Sequence, residues 1–337
     1  MRSIKITLII ILIILVTAIT GCSERARDME QVSENERIII RFSHVVAENT
    51  PKGLAAKRFA RLIQERTNGR VEVQVYPNSN LYKDGEELKA LLENNVQMIA
   101  PATAKLTTMF PQWQVFDLPF LFNDYKDVHS AMDGVVGEEL FKVLEERNIL
   151  GLAMWDNGFK QMSATHPLEN IEDFRGLSFR IMPSKVLENQ FSRLGAYTKV
   201  LPFNEVYRAL QVGEVDGAEN PLSNFFTKKF HQVQPYLTIS NHGYVGYAVL
   251  TNKTFWDSIP EGIQTIIQET MKEVTEWERA EAERQNVMVL SDLQKMNITK
   301  IHYLKPQEKM RWREILKPVY ADFTDQIGQN ILNGIEN

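Results

Sequence analysis

Apolar residues recur along this chain in two rhythms. Val71, Val73 and Val75 alternate with Glu72, Gln74 and Tyr76, the two-residue period of a strand with one buried face. Residues 38–45 (IIIRFSHV) are more continuously apolar and predict a buried strand. Between these two strands, Leu54, Phe59, Leu62 and Ile63 fall on one face of a helix. Thr50-Pro51 starts that helix, with threonine as N-cap and proline at the first helical position, and Asn68-Gly69 stops it. A second helix near residues 85–95 and a third strand near 96–100 complete a strand–helix–strand–helix–strand unit, which implies parallel pairing and right-handed crossovers.

Residues 107–122 are rich in aromatics and proline and are read as core packing. A helix over 137–147 and an apolar strand over 149–155 follow. The alternation then restarts, with a strand at 177–182, a helix at 184–194, a strand at 197–201, a helix at 205–212 and a short strand at 215–218. Two such units in series predict two α/β lobes, each with its own sheet, and a cleft between them. From residue 260 to 296 the helical period runs on through Ile263, Ile267, Met271, Val274 and Trp277, long enough to cross more than one lobe. Helices at 307–320 and 323–332 close the chain.

The strand at 177–182 carries a single cation. Alternation sends Leu177, Phe179 and Ile181 one way and Ser178, Arg180 and Met182 the other, and Pro183 ends the strand. Arg180 thus stands at the carboxyl edge of a strand, where open α/β sheets bind ligands. A guanidinium held by rigid backbone suits a carboxylate, although a surface arginine lying along the sheet has the same signature.

The amino terminus reads as an address. Arg2 and Lys5 precede an apolar run over 6–19, shorter than the roughly 20 residues of a membrane-spanning helix. Ile19-Thr20-Gly21-Cys22 resembles the bacterial lipobox, and Cys22 is the only cysteine, so no disulfide forms within the chain. Residues 1–21 are read as a lipoprotein signal peptide, and 22–37 as a lipidated cysteine with a flexible polar tether. This places the domain outside the cytoplasm, on the outer face of the cell membrane or in a periplasm. Losing Arg2 and Lys5 takes the formal charge from −5 to −7, which argues against a nucleic-acid partner.

Chemistry is largely missing. There is no glycine-rich phosphate loop, no G-x-S-x-G and no H-E-x-x-H. His44 and Glu48 lie four apart without a second pair, so they define no metal site. Neither cofactor nor catalytic group is expected.

Several segments in order, FSHVVAENTPKGLAAKRFA, FDLPFLF, WDNGFKQMSA, DFRGLSFRIMPS, VYRALQVGEVDGAENP and SNHGYVGYAVLTN, resemble the solute-binding proteins of tripartite ATP-independent periplasmic (TRAP) transporters, closest to the C4-dicarboxylate branch. The resemblance implies a two-lobed, hinge-bending α/β fold with hinge strands and a long helix shared by both lobes. Residues 38–157 with about 246–283 would form lobe I, and 158–245 with about 284–337 lobe II. It further implies capture of a succinate-, fumarate- or malate-like ligand and its delivery to permease subunits in the membrane. Arg180 matches the family's carboxylate-pairing arginine, and Asn220 the asparagine after D-G-A-E. Lys160 in N-G-F-K stands where sialic-acid-type members carry arginine, so that ligand is not expected. His44, Thr103, Phe203, His242 and Tyr244 occupy positions that commonly line the cleft. Arg180 would take one carboxylate, with Lys160 and His44 near the other, because two buried charges need two partners.

Blander roles stand beside these. Lys160 could be a solvated charge, Asn220 could shape the turn before Pro221, and His242 and Tyr244 could simply pack at the start of a buried strand. The same cleft and tether would also serve a ligand sensor reporting to a membrane kinase. An extracytoplasmic enzyme is a third class without motif support.

Overall fold

The computed structural model describes residues 37–336; the leader, Cys22 and the tether up to residue 36 lie outside them. Two sheets organise the chain. The first takes the strand order β2-β1-β3-β10-β4 from β1 (Ile38–Ser43), β2 (Val71–Tyr76), β3 (Met98–Ile99), β4 (Ile149–Phe159) and β10 (Tyr244–Asn252). The second has the order β11-β9-β5-β8-β6-β7, built from β5 (Gln161–Ala164), β6 (Ser178–Ile181), β7 (Tyr197–Val200), β8 (Gly217–Asn220), β9 (Tyr236–Ile239) and β11 (Lys300–Tyr303).

β1 pairs in parallel with β2 and β3, as the alternating pattern predicts. Its burial differs from expectation. Ile38, Ile40 and Phe42 are buried but Ile39 is 42% exposed, so this strand is covered on one face only. The helix Pro51–Arg66 begins at Thr50, whose side chain accepts the Gly53 N–H at 3.2 Å. It ends before Asn68 and Gly69, both at positive φ. The aromatic stretch forms a short 3-10 helix, Pro111–Asp117, whose Trp113, Val115 and Phe116 are fully buried.

The chain passes between the sheets at two adjacent places. β4 ends at Phe159 and β5 begins at Gln161, so Lys160 alone makes the first crossing. Residues 240–243 make the return from β9 to β10, and the Lys160 N–H donates to the Gly243 carbonyl at 2.8 Å. The helix Glu261–Met296 is continuous over 36 residues. Near its start Thr270 accepts from Arg66 of the first layer, at its middle Thr275 accepts from Trp155 and Glu278 from the Asp156 N–H, and further on Asn286 bonds the Asn157 carbonyl and the Ser223 N–H. It is therefore shared by both lobes. The tail is shared too. In the helix Pro306–Leu316, Trp312 packs edge-on to Phe174, and in Pro318–Ile327 Asp322 pairs with Arg193. The last helix, Gln329–Glu336, returns to the first lobe, where Gly334 meets Val136 of the helix Val135–Glu145.

Candidate functional site

A narrow cavity of about 30 Å³ opens where the carboxyl ends of strands from both sheets converge. From the second lobe, β6 sends Phe179 and Ile181 into the core and Arg180 and Met182 to the cavity wall, following strand alternation. The Arg180 side chain is buried, and its Nε donates to the Leu201 carbonyl at 3.0 Å. That bond fixes the guanidinium plane, and the two terminal nitrogens make no further hydrogen bond among the described residues. The Phe203 ring lies below it, 5.7 Å from the guanidinium carbon and 5.2 Å from Lys228 Nζ. Asn220 ends β8, and its Nδ2 is buried at the cavity wall without a hydrogen-bond partner.

From the first lobe come Asp84, Glu87 and Lys105. The Lys105 ammonium pairs with Asp84 Oδ2 at 2.8 Å, and the same oxygen accepts the Phe203 N–H at 2.7 Å. Burial pushes the Asp84 carboxyl up, but Lys105 and then Arg180 outweigh it and hold the group below the usual carboxylate range. Burial lowers the pKa of both Lys105 and Arg180, with Asp84 opposing the shift in each. Deeper, Lys52 donates to the Ala100 carbonyl at 2.7 Å and lies 3.6 Å above the Tyr247 ring. Burial brings Lys52 down to about 8 against the pull of Glu87, and brings Glu87 up to about 8 against the pull of Lys52.

A second polar cluster fills the crossing between the sheets. Lys160 Nζ reaches Glu219 Oε1 at 2.7 Å, His242 Nε2 lies 2.9 Å from Glu219 Oε2, and the Ser240 hydroxyl lies 2.7 Å from His242 Nδ1. Burial opposes ionisation of Glu219, but Lys160 and then His242 bring its pKa down to about 2. Next to it the Tyr244 hydroxyl donates to Asp156 Oδ1 at 2.6 Å, and His129 lies 2.7 Å from the other oxygen.

The eight positions named from sequence thus separate into three groups. Arg180, Phe203 and Asn220 face the cavity. His44 and Thr103 are buried directly beside its wall residues Val45 and Ala102. Lys160, His242 and Tyr244 point into the crossing cluster, where carboxylates of the chain itself engage them. Lys160 therefore reaches the cavity only through Glu219, which does line it. Sequence reasoning missed Lys105, Asp84 and Lys52. Lys105 closes the single 3-10 turn Thr103–Lys105 that follows β3. Among the described residues no cluster of three or more His, Cys, Asp or Glu is placed to hold a metal.

Two α/β lobes joined by crossing strands, with a cavity between them lined by Arg180 and Lys105 as well as Asp84, Glu87 and Glu219, define a hinge-bending solute-binding protein. Residues 42–326 match DctP, the bacterial extracellular solute-binding protein family 7, and the chain belongs to that family, the solute-binding component of TRAP transporters. It is 45% identical over 320 residues to the C4-dicarboxylate-binding periplasmic protein DctP of Rhodobacter capsulatus, covering 95% of this chain and 96% of the relative. It is 43% identical to the C4-dicarboxylate-binding protein DctB of Bacillus subtilis, covering 93% and 90%. Among solved structures, a TRAP solute-binding protein of Sulfurospirillum deleyianum with bound succinate superposes with a TM-score of 0.86 at 44% identity, over 89% of this chain and 99% of that one.

Proposed function

We propose that this protein captures a C4-dicarboxylate of the succinate, fumarate or malate class by closing its lobes, and delivers it to a TRAP-type permease in the membrane. One observation carries the reading: two cations, the buried Arg180 from the second lobe and the partly buried Lys105 from the first, face one cavity. A dianion taken out of water needs a partner for each charge. Arg180 offers a fork suited to one carboxylate and Lys105 a point charge for the other. The Asn220 amide, otherwise unpartnered, supplies a further donor. Lys160 supports this site indirectly, because it keeps Glu219 ionised and fixed beside Asn220. The names of the similar proteins, and the succinate and L-malate in the structures from Sulfurospirillum deleyianum and Pseudomonas aeruginosa, agree with this ligand class.

A thermal-shift titration of the chain from Ser23 onward tests the reading. Succinate, fumarate and malate at about 1,000 times their Kd should each stabilise the domain by about 4 kcal/mol, a rise of several degrees. Sialic acid should give none, and a response confined to monocarboxylates would overturn the diacid reading. We also infer a lipid anchor at Cys22. Cys22→Ser should then release the protein from the membrane fraction on cell fractionation; retention there would remove the anchor from the proposal.

A further inference from the structure

Asp84 is a cavity residue whose bonds join the two lobes directly, as does the longer 3.3 Å bond from the Asn224 amide to the Tyr247 hydroxyl. It lies in the loop between β2 and the helix Glu87–Leu92, and that loop is tied to the end of β1. The Asn78 N–H donates to the Val46 carbonyl at 2.9 Å and the Ser79 N–H to the His44 carbonyl at 3.2 Å. From this anchored base Oδ2 holds the Lys105 ammonium of its own lobe and, across the cleft, the Phe203 N–H of the other. Phe203 lies two residues beyond Leu201, whose carbonyl orients the Arg180 guanidinium. One oxygen atom therefore fixes Lys105 directly and Arg180 through the 201–203 segment. Both bonds are charge-assisted and shielded from water, the setting in which such bonds are strongest. A second link between the lobes lies beside β6, where the Thr107 hydroxyl donates to the Pro183 carbonyl at 2.8 Å. Pro183 follows the strand that carries Arg180.

We propose that Asp84 is a positioning residue that latches the closed lobes, so that it governs how long the ligand is held and has little part in how fast it is caught. The Phe203 bond exists only when the lobes have met, so losing it raises the free energy of the closed form and leaves encounter with the open cleft unchanged. Thr107 adds a weaker, neutral link of the same kind.

Stopped-flow binding of succinate to the full chain separates the two rates, and this half of the test rests on the diacid reading above. Asp84→Ala should raise the dissociation rate by about 10-fold or more while association changes by less than about 3-fold. Asp84→Asn should fall between wild type and Asp84→Ala, because its amide oxygen still accepts from the Phe203 N–H. Thr107→Val, which leaves every cavity charge in place, should raise dissociation by a few-fold. Spin-label distances between the lobes of the ligand-free protein form the second half and need no ligand. Asp84→Ala should shift that distribution toward longer separations. An unchanged distribution in both Asp84→Ala and Thr107→Val overturns the latch, as does an Asp84→Ala effect confined to association. Should succinate fail to bind wild type, the diacid reading falls and the distance measurement still decides on Asp84.

Discussion

The cavity and the crossing cluster use the same residue types and treat them differently. In the crossing, Lys160, Glu219, His242, Ser240, Tyr244, Asp156 and His129 satisfy one another through hydrogen bonds among themselves. In the cavity, Asn220 Nδ2 is buried without a partner, and the Arg180 terminal nitrogens make no hydrogen bond to the described residues. A buried polar group left without a partner costs free energy. Such groups persist where a ligand completes them, whereas a closed set of partners reads as structure. Internal satisfaction, more than residue type, is what distinguishes the crossing cluster from Arg180 and Asn220.

Exchanging damage between the two clusters would break that comparison most sharply. Glu219→Ala leaves Lys160 buried and unpaired, so stability should fall by about 3–5 kcal/mol on urea denaturation. Arg180→Ala removes the group proposed to hold a ligand carboxylate. It should weaken succinate binding by about 2–5 kcal/mol, roughly 30- to 4,000-fold by calorimetry, while moving the melting temperature far less than Glu219→Ala does. Arg180→Ala with unchanged affinity would remove Arg180 from the site, and a stable Glu219→Ala would remove the crossing cluster from the scaffold.

A smaller effect sharpens the boundary between the clusters. His44 lies beside the cavity wall, and its pKa is lowered to about 3, first by burial and then by the Lys52 charge. Its folded value lies below the unfolded value of 6.5. Its contribution is therefore complete above pH 6.5 and is lost as pH falls toward 3, because the unfolded chain takes up a proton that the folded one refuses. Between pH 7 and 5, wild type should lose up to about 2 kcal/mol relative to His44→Gln, as measured by urea melts at each pH. Glu219, whose pKa is held near 2, adds a loss below its ordinary value of 4.5 that both proteins share. Parallel pH profiles for the two proteins would place a protonated His44 inside the folded state.

Much of this was legible in the sequence because periodicity reports burial. The helix capped by Thr50, the strand carrying Arg180 and the long C-terminal helix all follow from spacing alone. The helix Tyr125–Asp133 and strands β5, β9 and β11 did not. β5 is four residues, Gln161–Ala164, all of them buried, so no alternation marks it and its neighbours in the sheet define it. The site divided in the same way. Arg180 and Asn220 belong to strand ends whose direction a local pattern fixes. Lys160 occupies the single position where the chain changes sheets, and the direction of its side chain depends on Glu219, 59 residues away. Asp84 was missed because its loop carries no period, and Lys105 because the single turn Thr103–Lys105 is too short to show one.

The 36-residue helix Glu261–Met296 also acts as a phase standard. At about 1.5 Å per residue it is roughly 54 Å long, and each step turns its contacts by about 100°. Thr270 and Asn286 meet opposite lobes in a fixed rotational relation. One residue inserted between them would leave both halves helical and yet point Asn286 away from Asn157 and Ser223. Seven inserted residues would nearly restore the angle but carry the far contacts about 10 Å along the axis. The sixteen-position spacing of Thr270 and Asn286 is thus as much a part of the fold's specification as their identities.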